Sequence, residues 1–442
     1  LDADSGPAMA TGVDFIVEAG VVVPGAGSPP LTGSGVAVSG GRLVELGPMV
    51  ELRRHHPHVP VHGGPEFLLS PGAVNAHTHL GLVWARGLAH DDRHPVYDLF
   101  WPIEGSLTPE LVGRLARVAV AESLLSGVTT IADHYFFAEA TAGACLEVGA
   151  RGALGQTVMT EFGPWASPSA VAESLEFVRR HLHDETIHPV VAPHAPDTVG
   201  EDALVELFGA AAELGVPVHL HLAQSRREID TMVERCGRGS VRYLNDLGLL
   251  DQTVVAAHCM FATGAEFDII AEHPGVSPVY CPTVHALLSP VLPAADLLGR
   301  HINVALGSDA TPNDRYDVWT EARTAVTGQA VLTGRPGALR PLEALDMATV
   351  RGASALGLEG EIARLAPGMK ADLVLWRTDT ARMTPLGDPA AMLVTAAGSR
   401  EVHSVWVEGR RVVEAGVLLG AEEAEVAATG RAAVAELLSG VA

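Results

Sequence analysis

"VPVHLHLAQSRREID", residues 216–230, changes its period part-way along. Up to Leu222 it alternates: Val216, Val218, Leu220 and Leu222 fall on one face of a strand, His219 and His221 on the other. From Ser225 onward the run is charged and reads as the first turn of a helix. A buried strand passing directly into a helix is the repeating unit of a parallel α/β fold. Two imidazoles on one strand face suggest a metal. The residue at the strand's end, Gln224, is an amide and cannot titrate near neutral pH.

The same unit recurs along the chain. Apolar strands, each followed by a helical stretch, are expected at 71–76, 128–133, 153–159, 188–192, 216–222, 253–258, 275–280 and 302–307. One intervening helix has both ends marked, by Thr108-Pro109 as N-cap and N1 and by Gly127 beyond its C-terminus. Eight such units over roughly 250–300 residues predict a (β/α)8 TIM-like barrel. An open doubly wound sheet is the alternative, but the G-x-G-x-x-G turn it would carry is missing. Short β-type runs lie on both sides, within 12–68 and at 371–376 and 401–416. Neither set suffices for its own sheet. Together they predict a small β-sandwich domain built from both chain ends, 1–68 and 365–442, around a barrel at 69–364.

Charge and composition narrow the function. Of 442 residues 48% are hydrophobic, enough for a large core, yet no apolar run reaches membrane-spanning length and no signal-peptide pattern is seen. Lys+Arg 29 against Asp+Glu 53 gives −24, a surface that repels phosphate backbones, so nucleic acid is not expected as a partner. Cys145, Cys236, Cys259 and Cys281 are far apart with no C-x-x-C, which predicts reduced thiols and a cytoplasmic protein.

In a barrel, catalytic groups come from the C-terminal ends of strands. Strand one closes "VNAHTHL", with His77 and His79 two apart on one face. Strand two closes on Asp133 and His134, strand four on His194, and strand five on His219, His221 and Gln224. His258 ends strand six and Asp309 ends strand eight. Each alone has a plain structural reading, as a hydrogen-bonded core histidine or a helix cap. Five together at barrel strand ends, His77, His79, His221, His258 and Asp309, point to a metal site. His219 lies one pleat deeper than His221 and is expected to be structural or to support a ligand. The histidines of "RRHHPHVPVH" (54–62) are expected on a solvated loop, and His181, His183 and His188 on the surface. Imidazole and carboxylate donors without thiolate suit Zn2+, one per chain, with Fe2+ or Mn2+ as alternatives. Water on such an ion ionises near neutrality; Asp309 can accept its proton and His258 can polarise the atom attacked. The expected chemistry is metal-assisted hydrolysis.

With these residues identified, the chain resembles the amidohydrolase superfamily, in the branch of S-adenosylhomocysteine/methylthioadenosine deaminases, guanine-type deaminases and s-triazine hydrolases. The likeness spans nearly the whole chain. It is carried by "PGAVNAHTHL", "ARGLAHD", "FWPIEGSLTPE", "SGVTTIADHYFF", "APHAPDT", "HLHLAQSRREID", "AAHC" and "GSDATPND" in order, then by "ATVRGASALGLEGEIARLAPGMKADLVLW". The resemblance implies that His77, His79, His221 and Asp309 ligate one metal and that His258 contacts substrate and attacking water. It implies a pocket lined by His194, with a substrate-facing loop at Trp84 to Arg86 and Phe100-Trp101, and a homodimer. Three departures stand out. Gln224 replaces the family's Glu, which shuttles a proton from water to the ring nitrogen. "CPTVH" (281–285) replaces Asn-Pro-x-Ser-Asn at strand seven and would put His285 on the substrate wall. Pro312, Asn313 and Asp314 replace a Gly-Ala-rich run.

The expected function is therefore hydrolytic deamination of a heteroaromatic amine, a purine-, pterin-, pyrimidine- or triazine-like ring, by attack of metal-bound hydroxide. Gln224 is expected to position the substrate, with proton transfer left to Asp309 and His258; Glu228 is a further candidate. The alternative, favoured by Gln224 alone, is displacement of halide or thiol from such a ring. A metal-binding protein without activity is a third reading, against which the intact ligand set argues. Few positive groups lie at the strand ends, so a phosphorylated substrate is not expected.

Overall fold

The computed structural model describes residues 12–25, 27–88, 95–310 and 315–440. Pro312, Asn313 and Asp314 lie outside the described residues. The N-terminal strands are β1 (Phe15–Val22), β2 (Leu31–Ser39), β3 (Arg42–Pro48) and β4 (Val61–Pro71). Then come β5 (Ala73–Thr78), β6 (Val128–Tyr135), β7 (Arg151–Val158), β8 (Ile187–Pro189), β9 (Ala192–Pro193) and β10 (Val218–Leu222). They are followed by β11 (Val254–His258), β12 (Val276–Tyr280) and β13 (Ala305–Leu306). β14 (Leu373–Arg377), β15 (Val402–Val407), β16 (Arg410–Glu414) and β17 (Val417–Leu418) complete the set.

From β5 to β13 every pairing is parallel, in two runs, β5 to β9 and β10 to β13. Parallel bridges Val191↔Val218 and Thr78↔Asp309 join the runs into a closed ring. With β8 and β9 counted as one interrupted strand, the eight expected β/α units are all present, each within a few residues of its expected place. The helix Pro109–Leu125 starts as its sequence predicts: Thr108 Oγ1 accepts from Leu111 N at 3.2 Å. Gly127 follows it in the left-handed region at φ 82°.

Both faces of a parallel barrel strand are covered, and β10 and β11 are buried at every position. Below the site the lumen is filled by small apolar residues: Val74, Ala132, Ala153, Val255, Val279 and Ala305 pack with Leu356 and Ile362. Gly307 lets β13 run close to β5, because a Cβ there would stand 2.9 Å from both Cβ and O of His77. Asn75 and Ser308 lock the same seam, with Ser308 N donating to Asn75 Oδ1 at 2.9 Å and Asn75 Nδ2 to Ser308 Oγ at 2.8 Å.

Both chain ends do contribute strands to one assembly, in the order β17-β16-β15-β14-β4-β1-β2-β3. This is one continuous sheet; the two separate sheets of the expected sandwich are not found among the described residues. β4 holds the two halves together, parallel to β1 and antiparallel to β14. Arg151 at the start of β7 forms a fully buried ion pair with Asp372, just before β14, and so ties the barrel to this sheet. Two surface expectations are corrected here: His188 is half-buried in β8, its Nε2 enclosed without a hydrogen-bond partner. His181 is buried, 3.2 Å from Glu139 Oε2 and 3.4 Å from Asp184 Oδ2, because it closes the inner face of helix Ala170–His181.

Candidate active site

His77, His79, His221, His258 and Asp309 converge at one end of the barrel lumen. The His77 and His79 rings lie 4.8 Å apart, His77 and His221 5.0 Å, and His79 and His221 5.1 Å. Asp309 Oδ1 stands 3.4 Å from His79 Nε2 and 3.6 Å from His77 Nε2, while its Oδ2 is 3.9 Å from His258 Nε2. Ala310 N donates to Oδ1 at 2.6 Å, which leaves Oδ2 as the freer oxygen. The strand ends turn sharply to achieve this: Ala223, His258 and Asp309 have φ of 49°, 76° and 60°. Left-handed backbone at non-glycine residues costs on the order of 1–3 kcal/mol each, and such strain concentrates at functional sites.

Proton placement tests whether these donors fit a cation. His79 Nδ1 donates to the His134 carbonyl at 2.5 Å and His221 Nδ1 to the His194 carbonyl at 2.8 Å. In the neutral rings both Nε2 atoms are then bare lone pairs, yet they face each other at 3.2 Å. Lone pairs at that distance repel unless a proton or a cation lies between them. His77 Nδ1 lies 2.8 Å from His219 Nε2, and His77 Nε2 is buried without a hydrogen-bond partner. Burial pushes the His77 imidazolium down to about 3 and His221 well below the usual histidine range, so both rings are neutral donors. His79 differs: burial lowers its pKa, but the Asp309 carboxylate outweighs that and raises it. Three imidazole nitrogens, two of them held neutral by burial, and one carboxylate oxygen form a donor set that fits a single divalent ion. His134 does not join them, since its Nε2 lies 3.2 Å from the Pro193 carbonyl and its Nδ1 3.0 Å from Thr157 Oγ1.

A cavity of about 540 Å³ opens over this cluster. His194, Gln224, Phe100 and Trp101 line it, as the sequence suggests. Trp84 does not; it is buried behind the wall, its ring 5.9 Å from that of Phe100, because residues 80–85 coil into a 3-10 helix that packs inward. Arg86 pairs with Glu122 instead of facing the cavity. His285 is also absent from the wall: it is fully buried, with Nε2 3.2 Å from His258 Nδ1. Glu228 is turned away as well. Its carboxyl accepts from Ala223 N at 2.9 Å, Gln224 N at 2.7 Å and Ser240 Oγ at 2.5 Å, so it pins the backbone under Gln224.

Some lining residues were not anticipated. Arg226 and Arg227 stand at the cavity wall, their guanidinium groups 5.1 Å from the Phe261 ring and 4.0 Å from the Tyr97 ring. The expected scarcity of positive groups thus does not hold at this mouth. Glu104, 3% exposed, lines the opposite side and accepts from Tyr135 Oη at 2.8 Å. Burial pushes its pKa from 4.5 to about 7. The folded value lies above the unfolded one, so the native state holds this proton more tightly. Stability from this group is complete below about pH 4.5 and is lost as pH rises through about 7, a change of about 3 kcal/mol. Glu104→Gln should abolish that part of the slope, read as thermal unfolding across this window; an unchanged slope would mean that Glu104 is ionised throughout.

Comparisons with known proteins give the family and the fold. Residues 68–412 match the amidohydrolase family. A 5-methylthioadenosine/S-adenosylhomocysteine deaminase of Moorella thermoacetica is 36% identical over 414 residues, 91% of this chain and 96% of that protein. The crystal structure of an adenosine deaminase from Xanthomonas campestris with bound zinc superposes with a TM-score of 0.92 at 32% identity, covering 97% of this chain and 99% of that one. Atrazine chlorohydrolase from Arthrobacter aurescens TC1, complexed with zinc, shares the fold with a TM-score of 0.86 at 21% identity over 95% of this chain and 100% of that one.

Proposed function

The chain belongs to the amidohydrolase family, and from that premise we propose that it is a zinc-dependent hydrolase that deaminates a heteroaromatic amine. The observation that carries this reading is the set of facing donors of His77, His79, His221 and Asp309 beneath a cavity sized for one small heterocycle. Fe2+ and Mn2+ suit the same donors. When bound, the ion activates water and polarises the ring at the carbon attacked. A purine-, pterin-, pyrimidine- or triazine-like ring fits the aromatic wall of Phe100 and Trp101.

The protein's own residues then divide the work. Asp309, through Oδ2, accepts the proton of the attacking water. His258 holds a hydrogen bond to the developing charge at the same centre. Gln224 orients the ring through its amide, and His194 borders the far side. Ammonia must leave protonated, and the proton that Asp309 has taken is the nearest source. Four free cysteines among the described residues support a reducing, cytoplasmic setting; no helix there is long and apolar enough to cross a membrane. The homodimer, and a barrel at 69–364 with its companion unit from 1–68 and 365–442, belong to the same proposal.

The test is metal titration. Chelator-stripped protein should release no ammonia from a panel of aminated heterocycles, and activity should return and saturate at one zinc per chain. Turnover indifferent to chelation would overturn the proposal.

Gln224 also keeps displacement of halide or thiol in view, since those groups depart without a proton. As a positioning group, Gln224→Ala should raise KM more than it lowers kcat. Gln224→Glu should add an acidic limb to the pH–rate profile and keep or raise turnover of amines. Loss of kcat at constant KM in the alanine variant would place Gln224 in the transition state.

A further inference from the structure

Behind His258 lies a second imidazole that the proposed mechanism does not use. His285 sits in the helix Pro282–Leu288, 0% exposed, with its Nε2 3.2 Å from His258 Nδ1. Its other nitrogen, Nδ1, is buried without a hydrogen-bond partner. The helix is held in place, since Thr283 N donates to Glu321 Oε2 at 2.9 Å and the Tyr280 ring packs 5.3 Å from that of His285. We propose that His285 is a positioning residue that fixes the tautomer of His258, keeping the His258 proton on Nε2, where the reaction takes place. The inference deepens the deaminase reading and rests on it for the role of His258, though not for the tautomer.

One hydrogen joins the two rings, and it has two placements. If His258 Nδ1 were the donor, His258 Nε2 would present a bare lone pair toward the Asp309 carboxylate, 3.9 Å away. His285 Nδ1 would then carry an N–H buried with no acceptor, the costlier kind of orphan. If His285 Nε2 is the donor, both penalties ease. His258 Nε2 carries the hydrogen and faces the carboxylate with the attractive sign, and the orphan left at His285 Nδ1 is an acceptor. The second placement is therefore favoured on both sides of the pair. It delivers His258 to the substrate as a neutral N–H donor, already oriented, with no tautomer exchange to precede the reaction.

The test compares His285→Leu with His285→Asn in zinc-loaded protein. Leucine removes the donor; the asparagine amide can restore it. The leucine variant should lose about 10- to 100-fold in kcat with KM within about twofold and zinc content unchanged, and asparagine should recover most of the loss. Equal losses in the two variants, or a loss carried by KM, would overturn the proposal in favour of packing. Nitrogen-15 NMR of the native protein reads the tautomer directly and needs neither His285 variant nor turnover. His258, identified by its absence in His258→Gln, should show an unprotonated Nδ1 and a protonated Nε2. The reverse assignment would sink the inference even if deamination is observed, and a protein with the expected tautomer but no ammonia release would sink the deaminase reading alone.

Discussion

His77→Ala should lose the metal and the activity together. His77 comes from β5 near the centre of the cluster, its Nε2 buried without a hydrogen-bond partner and 3.6 Å from Asp309 Oδ1. Alanine leaves His79, His221 and Asp309 in place, and His219 behind it reaches only the Nδ1 side of the lost ring, so it does not replace the missing nitrogen. Altering groups that merely support a metal ligand costs about 10- to 100-fold in affinity or activity, and losing a ligand itself should exceed that range. Elemental analysis should find the variant empty after dialysis, and ammonia release should fall to background. Removing the ring also leaves His219 Nε2 without its 2.8 Å partner, so a modest drop in unfolding temperature should accompany the loss. Full occupancy of a purified His77→Ala protein would refute the ligand assignment.

The second large effect should separate chemistry from metal binding. His258→Gln removes an imidazole that faces Asp309 Oδ2 at 3.9 Å but is given no place among the ligands. Zinc should remain at one per chain while kcat falls about 10²–10³-fold, the usual range for a donor aimed at developing charge. The opposite pattern, zinc lost with the residue, would move His258 into the ligand set; its place in a cluster with His77 and His221 makes that a real alternative to exclude. Activity within a few-fold of native would show that the His258 hydrogen bond adds little to the reaction.

Much of the fold and of this site is legible in the sequence, for physical reasons. The shift from period two to helical spacing marks each β/α unit, and the barrel rule then sends His77, His79, His221, His258 and Asp309 to one end. Gln224 shares the parity of Leu222 and is placed by the resemblance, three residues past His221; the left-handed turn at Ala223 (φ 49°) brings it to the cavity. What failed is direction on short turns. Whether residues 80–85 turn Trp84 into the cavity or into the wall depends on a 3-10 helix that no periodicity announces. His285, five residues past β12, rides a single short helix whose rotation is set by its neighbours. Glu104 was within reach: a carboxylate inside the otherwise apolar "FWPIEG" had to be either solvated or functional, and it is buried against Tyr135. Arg226 and Arg227 read as part of the first turn of a helix, and only the closed ring shows that this turn borders the cavity. The sandwich expectation is not confirmed: strand pairing across the two chain ends is a tertiary choice, and β4 joins both sets into one sheet.

The central claim is that this metal site expels an amine from a heteroaromatic ring although Gln224 stands where a proton-shuttling carboxylate is usual. Matched rings test it most directly, one bearing an amino group and one a chloro group on the same carbon, given to the same zinc-loaded preparation with ammonia and chloride assayed together. The account predicts ammonia in step with hydroxylated product and a higher kcat/KM for the amino ring. Chloride released with the higher kcat/KM, and little or no ammonia, would contradict it.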